Sequence, residues 1–303
     1  MEFHFLGTGS GIPATNRNVS GLAVRFLQKK RTQWLFDCGE ATQHQLLQSP
    51  ITLSKIDRIF ITHLHGDHLF GLPGLLCSRS AQGAISELTI YGPNGVQEFV
   101  ETALTVSKSH LSYPIQYVET TEGVVYSDEE TTVEALALDH VMPSYAYKII
   151  EADKPGTLQV QQLRELGIKP GPIYSQIKHG ETVTLPDGNR LCGKDFIGKT
   201  QKGRVVVIAG DTRPLEGMID FSKTADLLIH EGTFRQDKKE HAEKFGHSTI
   251  SDVATLAKRA DVKTLIITHI SSRYADETSA LEQDACEIFP HSLIAHDFMV
   301  YKL

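Results

Sequence analysis

No apolar run in the 303 residues approaches the roughly 20 that a helix needs to cross a bilayer. No basic stretch precedes an apolar one where the chain opens, Met1-Glu2-Phe3-His4-Phe5-Leu6, so no signal peptide is expected. Cysteine is scarce. Cys38, Cys77, Cys192 and Cys286 lie far apart without a C-x-x-C, which argues against a disulfide framework or a thiolate metal site. Together these absences lead to the expectation of a reduced, cytoplasmic protein with no membrane partner. Positive charge is in deficit too: 30 Lys and Arg against 37 Asp and Glu leave a net charge of -7, which taken whole disfavours a polyanionic partner. Repeats, low-complexity tracts and heptads are missing, which leaves no basis for a solenoid or a coiled coil. The glycine-rich Gly7-Thr8-Gly9-Ser10-Gly11 is followed by no G-K-[ST], so it reads as a tight turn and not as a phosphate cradle.

What is present centres on residues 56 to 68, Ile-Asp-Arg-Ile-Phe-Ile-Thr-His-Leu-His-Gly-Asp-His. The first half is a β-branched apolar run and reads as a buried strand. The second half places His63, His65, Asp67 and His68 within six positions. Neutral imidazole nitrogens and carboxylate oxygens are the donors that hold a borderline divalent cation. Gly66 is expected to let the backbone bend between them. Four later strands end on residues of the same type: Asp139-His140, Gly210-Asp211, His230-Glu231 and Thr268-His269. Singly, each is as well explained by a turn or a core histidine; together they can converge on one edge of an α/β sheet.

The pattern divides into His63, His65 and His140 as one ligand set and Asp67, His68 and His269 as a second, with Asp211 bridging them. Two zinc ions per chain are expected, with manganese or iron compatible with the same donors. Two ions ~3.5–4 Å apart suit phosphodiester hydrolysis by a metal-bound hydroxide, since a bound water has its pKa lowered from ~15.7 towards ~7. The leaving oxygen still needs a proton. His247 is the candidate donor and Glu231 its orienting partner, the alternative being that His247 is a loop residue before a helix capped by Ser248 or Ser251.

Strands are expected at 2–6, 21–27, 33–36, 56–62, 87–91, 115–119, 123–126, 131–138, 144–150, 204–209, 226–230, 263–268 and 292–301, with helices between several of them. Residues 152–204 interrupt the rhythm and read as an inserted arm too poor in large apolar residues for a core of its own. From Lys154 to Arg204 there are nine Lys or Arg against four acids, so the segment reverses the sign of the whole chain. On charge alone it reads equally as a solvated loop or as a polyanion contact.

The run Thr62-His63-Leu64-His65-Gly66-Asp67-His68, followed by single ligands at strand ends, resembles the metallo-β-lactamase superfamily. That resemblance implies an α/β fold, an αβ/βα sandwich of two halves, here 1–150 and 203–303, in one domain carrying the arm. His230-Glu231-Gly232-Thr233 matches an H-E-A-T box with Gly for Ala, His247-Ser248-Thr249 an H-S-T box, and Ala295-His296-Asp297-Phe298 an A-x-D-F segment. With Gly171-Pro172 in a basic arm, these make the chain similar to the ribonuclease Z family. The similarity implies a zinc endoribonuclease that removes the 3′ trailer of precursor transfer RNA near the discriminator base and leaves a 3′ hydroxyl. It implies His63, His65, Asp67, His68, His140, Asp211 and His269 as metal ligands, Asp67 as proton acceptor as well, the arm as the grip on RNA, and a homodimer. The family's P-x-K-x-R-N loop appears as Pro13-Ala14-Thr15-Asn16-Arg17-Asn18, with Thr15 in place of Lys. A thioesterase resembling glyoxalase II, a small-molecule phosphodiesterase, or an RNA-binding scaffold without turnover are the competing readings. The first two need no basic arm, and the third predicts lost ligands.

Overall fold

A computed structural model describes residues 1–27, 32–185 and 188–303. The turn expected at 28–32 and the hairpin tip at Pro186-Asp187-Gly188 fall largely outside the described residues. The chain forms two compact units, one of residues 1–127, 132–149 and 205–303, the other of residues 128–131 and 150–204.

Two seven-stranded sheets carry the first unit. One runs in the order Val300–Lys302, Glu2–Gly7, Gly21–Arg25, Gln33–Phe36, Ile56–Phe60, Leu88–Gly92, Ile115–Glu119. The other runs Ser292–Ile294, Leu265–Thr268, Leu227–Glu231, Val205–Ala209, Ser144–Glu151, Thr131–Leu138, Gly123–Ser127. Gln33–Phe36 to Ile115–Glu119 pair in parallel, and so do Val205–Ala209 to Ser292–Ile294. Parallel strands must be covered on both faces, and the alternation of the sequence supplies both coverings. Phe3, Phe5, Trp34, Phe36 and Phe60 face inward and meet Tyr147, Val206, Ile208, Leu227 and Ile229 of the other sheet. Their neighbours Leu6, Leu35, Ile59 and Ile61 face outward onto Leu72, Leu75 and Leu76 of helix Leu72–Ala81 and Val96 and Val100 of helix Val96–Val106. On the far side Val207, Leu228, Leu265 and Ile267 meet Val253, Ala254 and Ala257 of helix Ile250–Arg259 and Leu281 and Ala285 of helix Thr278–Ile288. The layers are therefore helix, sheet, sheet, helix.

The division between the sheets does not follow the expected halves. Strands at 123–127, 131–138 and 144–151 join the second sheet, and the chain end returns to the first. The strand expected at 292–301 is two strands in different sheets. Between them Phe298 takes φ 63°, and Asp297 accepts hydrogen bonds from Thr8 Oγ1, the Asn18 amide and Gln45 Nε2, so the chain is tied where it crosses over. Helices Pro172–Lys178, Gly217–Ser222 and Lys239–Phe245 arise where the sequence pattern shows none. At six or seven residues each is too short for a 3.6-residue period to declare itself.

The second unit also departs from expectation, because it has a core. Leu163, Ile168, Ile177, Val183 and Leu191 are buried together, with Leu158, Ile173, Tyr174 and Phe196 packed around them. Each short element supplies only one or two of these residues, so no single window of sequence looks apolar. Helix Val160–Glu165 stops before Gly167, whose φ of 75° a helix cannot continue.

Phe60 is the centre of the inner layer, stacked between Phe36 and Tyr91 with ring centroids at 4.8 and 4.6 Å. Phe60→Ala removes both stacks and opens a cavity between the sheets, so unfolding stability should fall by about 3–5 kcal/mol. Denaturant unfolding monitored by circular dichroism checks this, and a loss below about 1 kcal/mol would contradict the inner packing.

Candidate metal centre

The sheets bring the chemistry-bearing residues to one rim because parallel strands end there together. Asp37 follows Gln33–Phe36, His63 to His68 follow Ile56–Phe60, Asp211 follows Val205–Ala209, Glu231 ends its strand and His269 follows Leu265–Thr268. Two of these residues hold left-handed backbone, Asp37 at φ 57° and His269 at φ 59°. A non-glycine residue in that region costs of order 1–3 kcal/mol, a strain that clusters where geometry serves function. Asp37 is held there by its own bonds: its amide donates to the Phe60 carbonyl at 2.9 Å, and its carboxylate accepts from the Thr62 amide at 2.8 Å and Thr62 Oγ1 at 2.9 Å.

Nitrogens and oxygens face one another in two groups. His63 Nε2 is 3.0 Å from His65 Nδ1, which is 3.2 Å from His140 Nε2, and His63 Nε2 is 3.6 Å from Asp211 Oδ2. In the second group His68 Nε2 lies 3.2 Å from His269 Nε2 and 3.6 Å from both Asp67 Oδ2 and Asp211 Oδ1. His269 Nε2 is 3.3 Å from Asp67 Oδ2 and 3.4 Å from Asp211 Oδ2. Four ligands ~2.0–2.1 Å from a tetrahedral zinc stand about 3.3–3.4 Å from each other. The two groups, His63, His65, His140 and Asp211 in one and Asp67, His68 and His269 in the other, therefore have the spacing of ligand shells. Asp211 is also within 3.6 Å of His68 and His269 in the second.

Four imidazoles are turned by a bond at the opposite nitrogen. His63 Nδ1 is 3.1 Å from Thr62 Oγ1, His68 Nδ1 is 2.7 Å from Asp37 Oδ2, His140 Nδ1 is 2.7 Å from the Gly246 carbonyl, and His269 Nδ1 is 2.9 Å from Thr233 Oγ1. An N–H donated outward leaves the inward nitrogen as a lone pair, the tautomer a metal ligand needs. Burial and neighbouring imidazoles push His63 and His65 below their ordinary pKa, and burial does the same to His140, so all three are neutral donors. His68 is different. Burial opposes its charge, but Asp211 and Asp37 on either side raise it well above the ordinary value. The point between those carboxylates favours positive charge, and a divalent cation meets that demand directly.

Gly66 plays a part other than the one expected. Its backbone is not left-handed; a Cβ there would lie 2.3 Å from the Phe70 ring, so its role is close approach. The glycine-rich turn reaches the site as well, since the Gly11 amide donates to Asp67 Oδ2 at 2.7 Å.

His247 stands beside the two groups. Its Nδ1 is 3.0 Å from Glu231 Oε1 and 3.7 Å from Asp211 Oδ2, and its ring centroid is 5.3 Å from that of His140. Burial works against the imidazolium, yet the Glu231 carboxylate raises the pKa to about 9; cations in the adjacent groups act in the opposite direction. Glu231 is 1 % exposed and fully engaged. Its Oε1 also accepts from the Thr212 amide at 3.0 Å, and its Oε2 from the Thr233 amide at 3.1 Å and Thr233 Oγ1 at 2.7 Å. The following helix is capped by Thr249, whose Oγ1 accepts from the Asp252 amide at 3.2 Å, and not by Ser248 or Ser251. Ser248 Oγ instead donates to the Thr212 carbonyl at 2.8 Å.

All nine residues singled out by sequence, His63, His65, Asp67, His68, His140, Asp211, Glu231, His247 and His269, meet at this rim. Sequence reasoning missed Asp37, Thr62 and Thr233, which hold His68, His63 and His269. The Asp at the end of Gln33–Phe36 is the one signal that was available. Arg17 is no surface contact: it is 3 % exposed, with Nη1 donating to Thr8 Oγ1 at 2.7 Å and to the Ala295 carbonyl at 2.6 Å.

Residues 1–153 match the family model described as "Anti-Pycsar protein Apyc1", and to that extent belong to that family. That match ends before Asp211, Glu231, His247 and His269. A ribonuclease Z of Halalkalibacterium halodurans is 56 % identical over 304 residues, covering 100 % of this chain and 98 % of that protein. The crystal structure of human tRNase Z, short form, superposes with a TM-score of 0.73 at 30 % identity, covering 100 % of this chain and 99 % of that one. The metallo-β-lactamase fold protein YhfI from Bacillus subtilis superposes with a TM-score of 0.68 at 21 % identity, covering 99 % and 98 %, which identifies the fold.

The geometry makes the metal content testable. Asp211→Ala removes the one residue common to both groups, so metal per chain measured by plasma mass spectrometry should fall at both positions together. Chelation should lower the melting temperature of the wild-type protein, because only the folded chain assembles the ligands, and returned zinc should restore it. Full metal content in Asp211→Ala would contradict the shared site.

Proposed function

We propose a chemical mechanism and a mode of substrate binding on one premise: the chain belongs to the ribonuclease Z family. It is a metal-dependent endoribonuclease of transfer-RNA 3′ processing. In our reading two zinc ions would be held per chain, one by His63, His65, His140 and Asp211, the other by Asp67, His68, His269 and Asp211. Such ions supply a water whose pKa is lowered towards ~7 and neutralise charge on the phosphoryl oxygens. Manganese or iron fits the same nitrogen and oxygen donors.

The chain's own groups move the protons. Asp67 Oδ2 is committed to the Gly11 amide and to the second ligand group, which leaves Oδ1 to accept a proton from the attacking water. His247 uses Nδ1 on Glu231, so Nε2 is the atom that delivers a proton to the departing 3′ oxygen of the RNA. Glu231 touches no substrate; it fixes the ring and favours the imidazolium. The observation that carries this reading is a protonatable imidazole, oriented by a buried carboxylate, 3.7 Å from the carboxylate shared by both ligand groups. A thioester needs no such donor, and a scaffold without turnover would not keep all seven candidate ligands together.

RNA is gripped, we propose, by residues 152–204 as an inserted arm of a single-domain enzyme. Arg164, Lys169, Lys178, Arg190, Lys194, Lys199 and Lys202 are all exposed. The internal core of this unit supports the reading, since it holds these charges on a folded platform. Precursor transfer RNA cut near the discriminator base is the substrate in this view, a homodimer in the cytoplasm the working form. No helix among the described residues is long and apolar enough to cross a membrane.

His247→Ala should keep its metal and its precursor affinity while kcat falls by roughly 10²–10⁴-fold, the range of general acid catalysis. The loss should shrink on an aryl phosphodiester, whose leaving group departs without a proton. Equal losses on both substrates would assign His247 to holding its loop. Replacing residues 155–200 by a Gly/Ser linker should weaken precursor binding and flatten its salt dependence, each lost phosphate contact removing about 0.7–0.9 from the log–log slope. Turnover of the aryl phosphodiester should persist, since every proposed ligand lies outside the deletion. Unchanged precursor affinity would overturn the assignment of the arm.

A further inference from the structure

The segment Asp211-Thr212-Arg213 does more than present a carboxylate. Arg213 donates from its amide to the Asp139 carbonyl at 2.8 Å and from Nη1 to Asp139 Oδ1 at 2.9 Å. Its Nε donates to the Glu243 carbonyl at 2.7 Å. One guanidinium thus spans the loop that carries His140 and the last turn of helix Lys239–Phe245, which leads directly into His247.

The same two loops touch at a second point. His140 Nδ1 meets the Gly246 carbonyl at 2.7 Å, and Gly246 is left-handed at φ 82°. A Cβ at Gly246 would lie 2.6 Å from His140 Nδ1, so the approach has no slack. Beyond His247, Ser248 Oγ donates to the Thr212 carbonyl at 2.8 Å. His247 is therefore held between Glu243 and Gly246 on one side and Ser248 on the other, and Thr212 and Arg213 supply two of those three grips. The Arg213 bonds are charge-assisted, and a planar fork fixes direction as well as distance.

We infer that Arg213 is a positioning residue that sets His247 against the shared carboxylate and His140 by locking together the loops that carry them. This rests on the reading of His247 as proton donor. Arg213 need not touch RNA to act; a displacement of His247 by about 1 Å is enough to cost on the order of 10²-fold in rate.

The test uses the zinc-loaded enzyme with Arg213→Ala, Arg213→Lys, His247→Ala and the Arg213→Ala/His247→Ala double variant. For Arg213→Ala, kcat on precursor transfer RNA should fall about 10- to 10²-fold with KM unchanged. The loss should be much smaller on bis(p-nitrophenyl) phosphate, zinc content should stay at wild type, and residues 243–248 should exchange amide hydrogen faster. Arg213→Lys, which keeps the charge and one bond, should recover part of the rate and guards against a folding defect in the alanine variant. The double variant should be no slower than His247→Ala alone. Multiplicative losses in the double variant would show that Arg213 acts apart from His247. A raised KM with kcat retained would make Arg213 an RNA contact, and lost zinc would make it a support of the ligand shell; each overturns the inference. If His247→Ala itself slows both substrates equally, the proton-donor reading fails, and the exchange of 243–248 still decides whether Arg213 holds the loop.

Discussion

Buried negative charge is the constraint on which the rest of the site depends. Asp37, Asp67, Asp211 and Glu231 are 7, 9, 2 and 1 % exposed and stand at one rim of the sandwich. Among the described residues no lysine or arginine pairs with any of them; their ion-pair partners are imidazoles. A buried carboxylate without a compensating charge is costly enough that it normally protonates. Here Asp67 and Asp211 are held below the usual carboxylate range despite burial, because the imidazoles around them favour the charged form. A rim with this much buried negative charge suits a bound cation, which offsets the cost of burying its acids.

That constraint explains the outer ring of polar contacts. A carboxylate or imidazole that must meet a small ion has to be immobile, since a rotamer change moves a donor atom by more than the tolerance of a coordination bond. Thr62, Asp37, Thr233 and the Gly246 carbonyl fix four rings from behind, and the Gly11 amide fixes Asp67. Glu231 spends all four of its hydrogen bonds on Thr212, Thr233 and His247. The strained backbone at Asp37 and His269 persists because these bonds over-determine it. Rigidity at the rim comes from the three apolar layers beneath it, one between the sheets and one under the helices on each side, where alternate residues of the same strands are locked.

Opposite electrostatics govern residues 150–204. The acids of the rim would repel an RNA backbone, and the chain as a whole carries -7. The second unit has its own apolar centre and carries most of its lysines and arginines exposed. Buried acids and exposed bases are thus carried by units that have separate apolar cores.

By itself the sequence determined the dense cluster of His63, His65, Asp67 and His68, because they fall within six positions, and the strand ends that meet it, because β-branched runs stop on His or Asp. Most strands were legible for the same local reason: β-branched apolar runs are written in adjacent residues. Asp37, Thr233 and Arg213 were not legible, since what makes each matter is a partner 31, 36 or 74 positions away. The crossing of residues 292–302 between sheets, the core of the second unit and the burial of Arg17 were decided only by tertiary structure. In each case a local pattern of ordinary appearance takes its meaning from distant groups that pack or hydrogen-bond against it. The left-handed turn at Phe298 belongs with these, because the bonds that fix it come from Phe5, Thr8, Asn18 and Gln45, far away in the sequence.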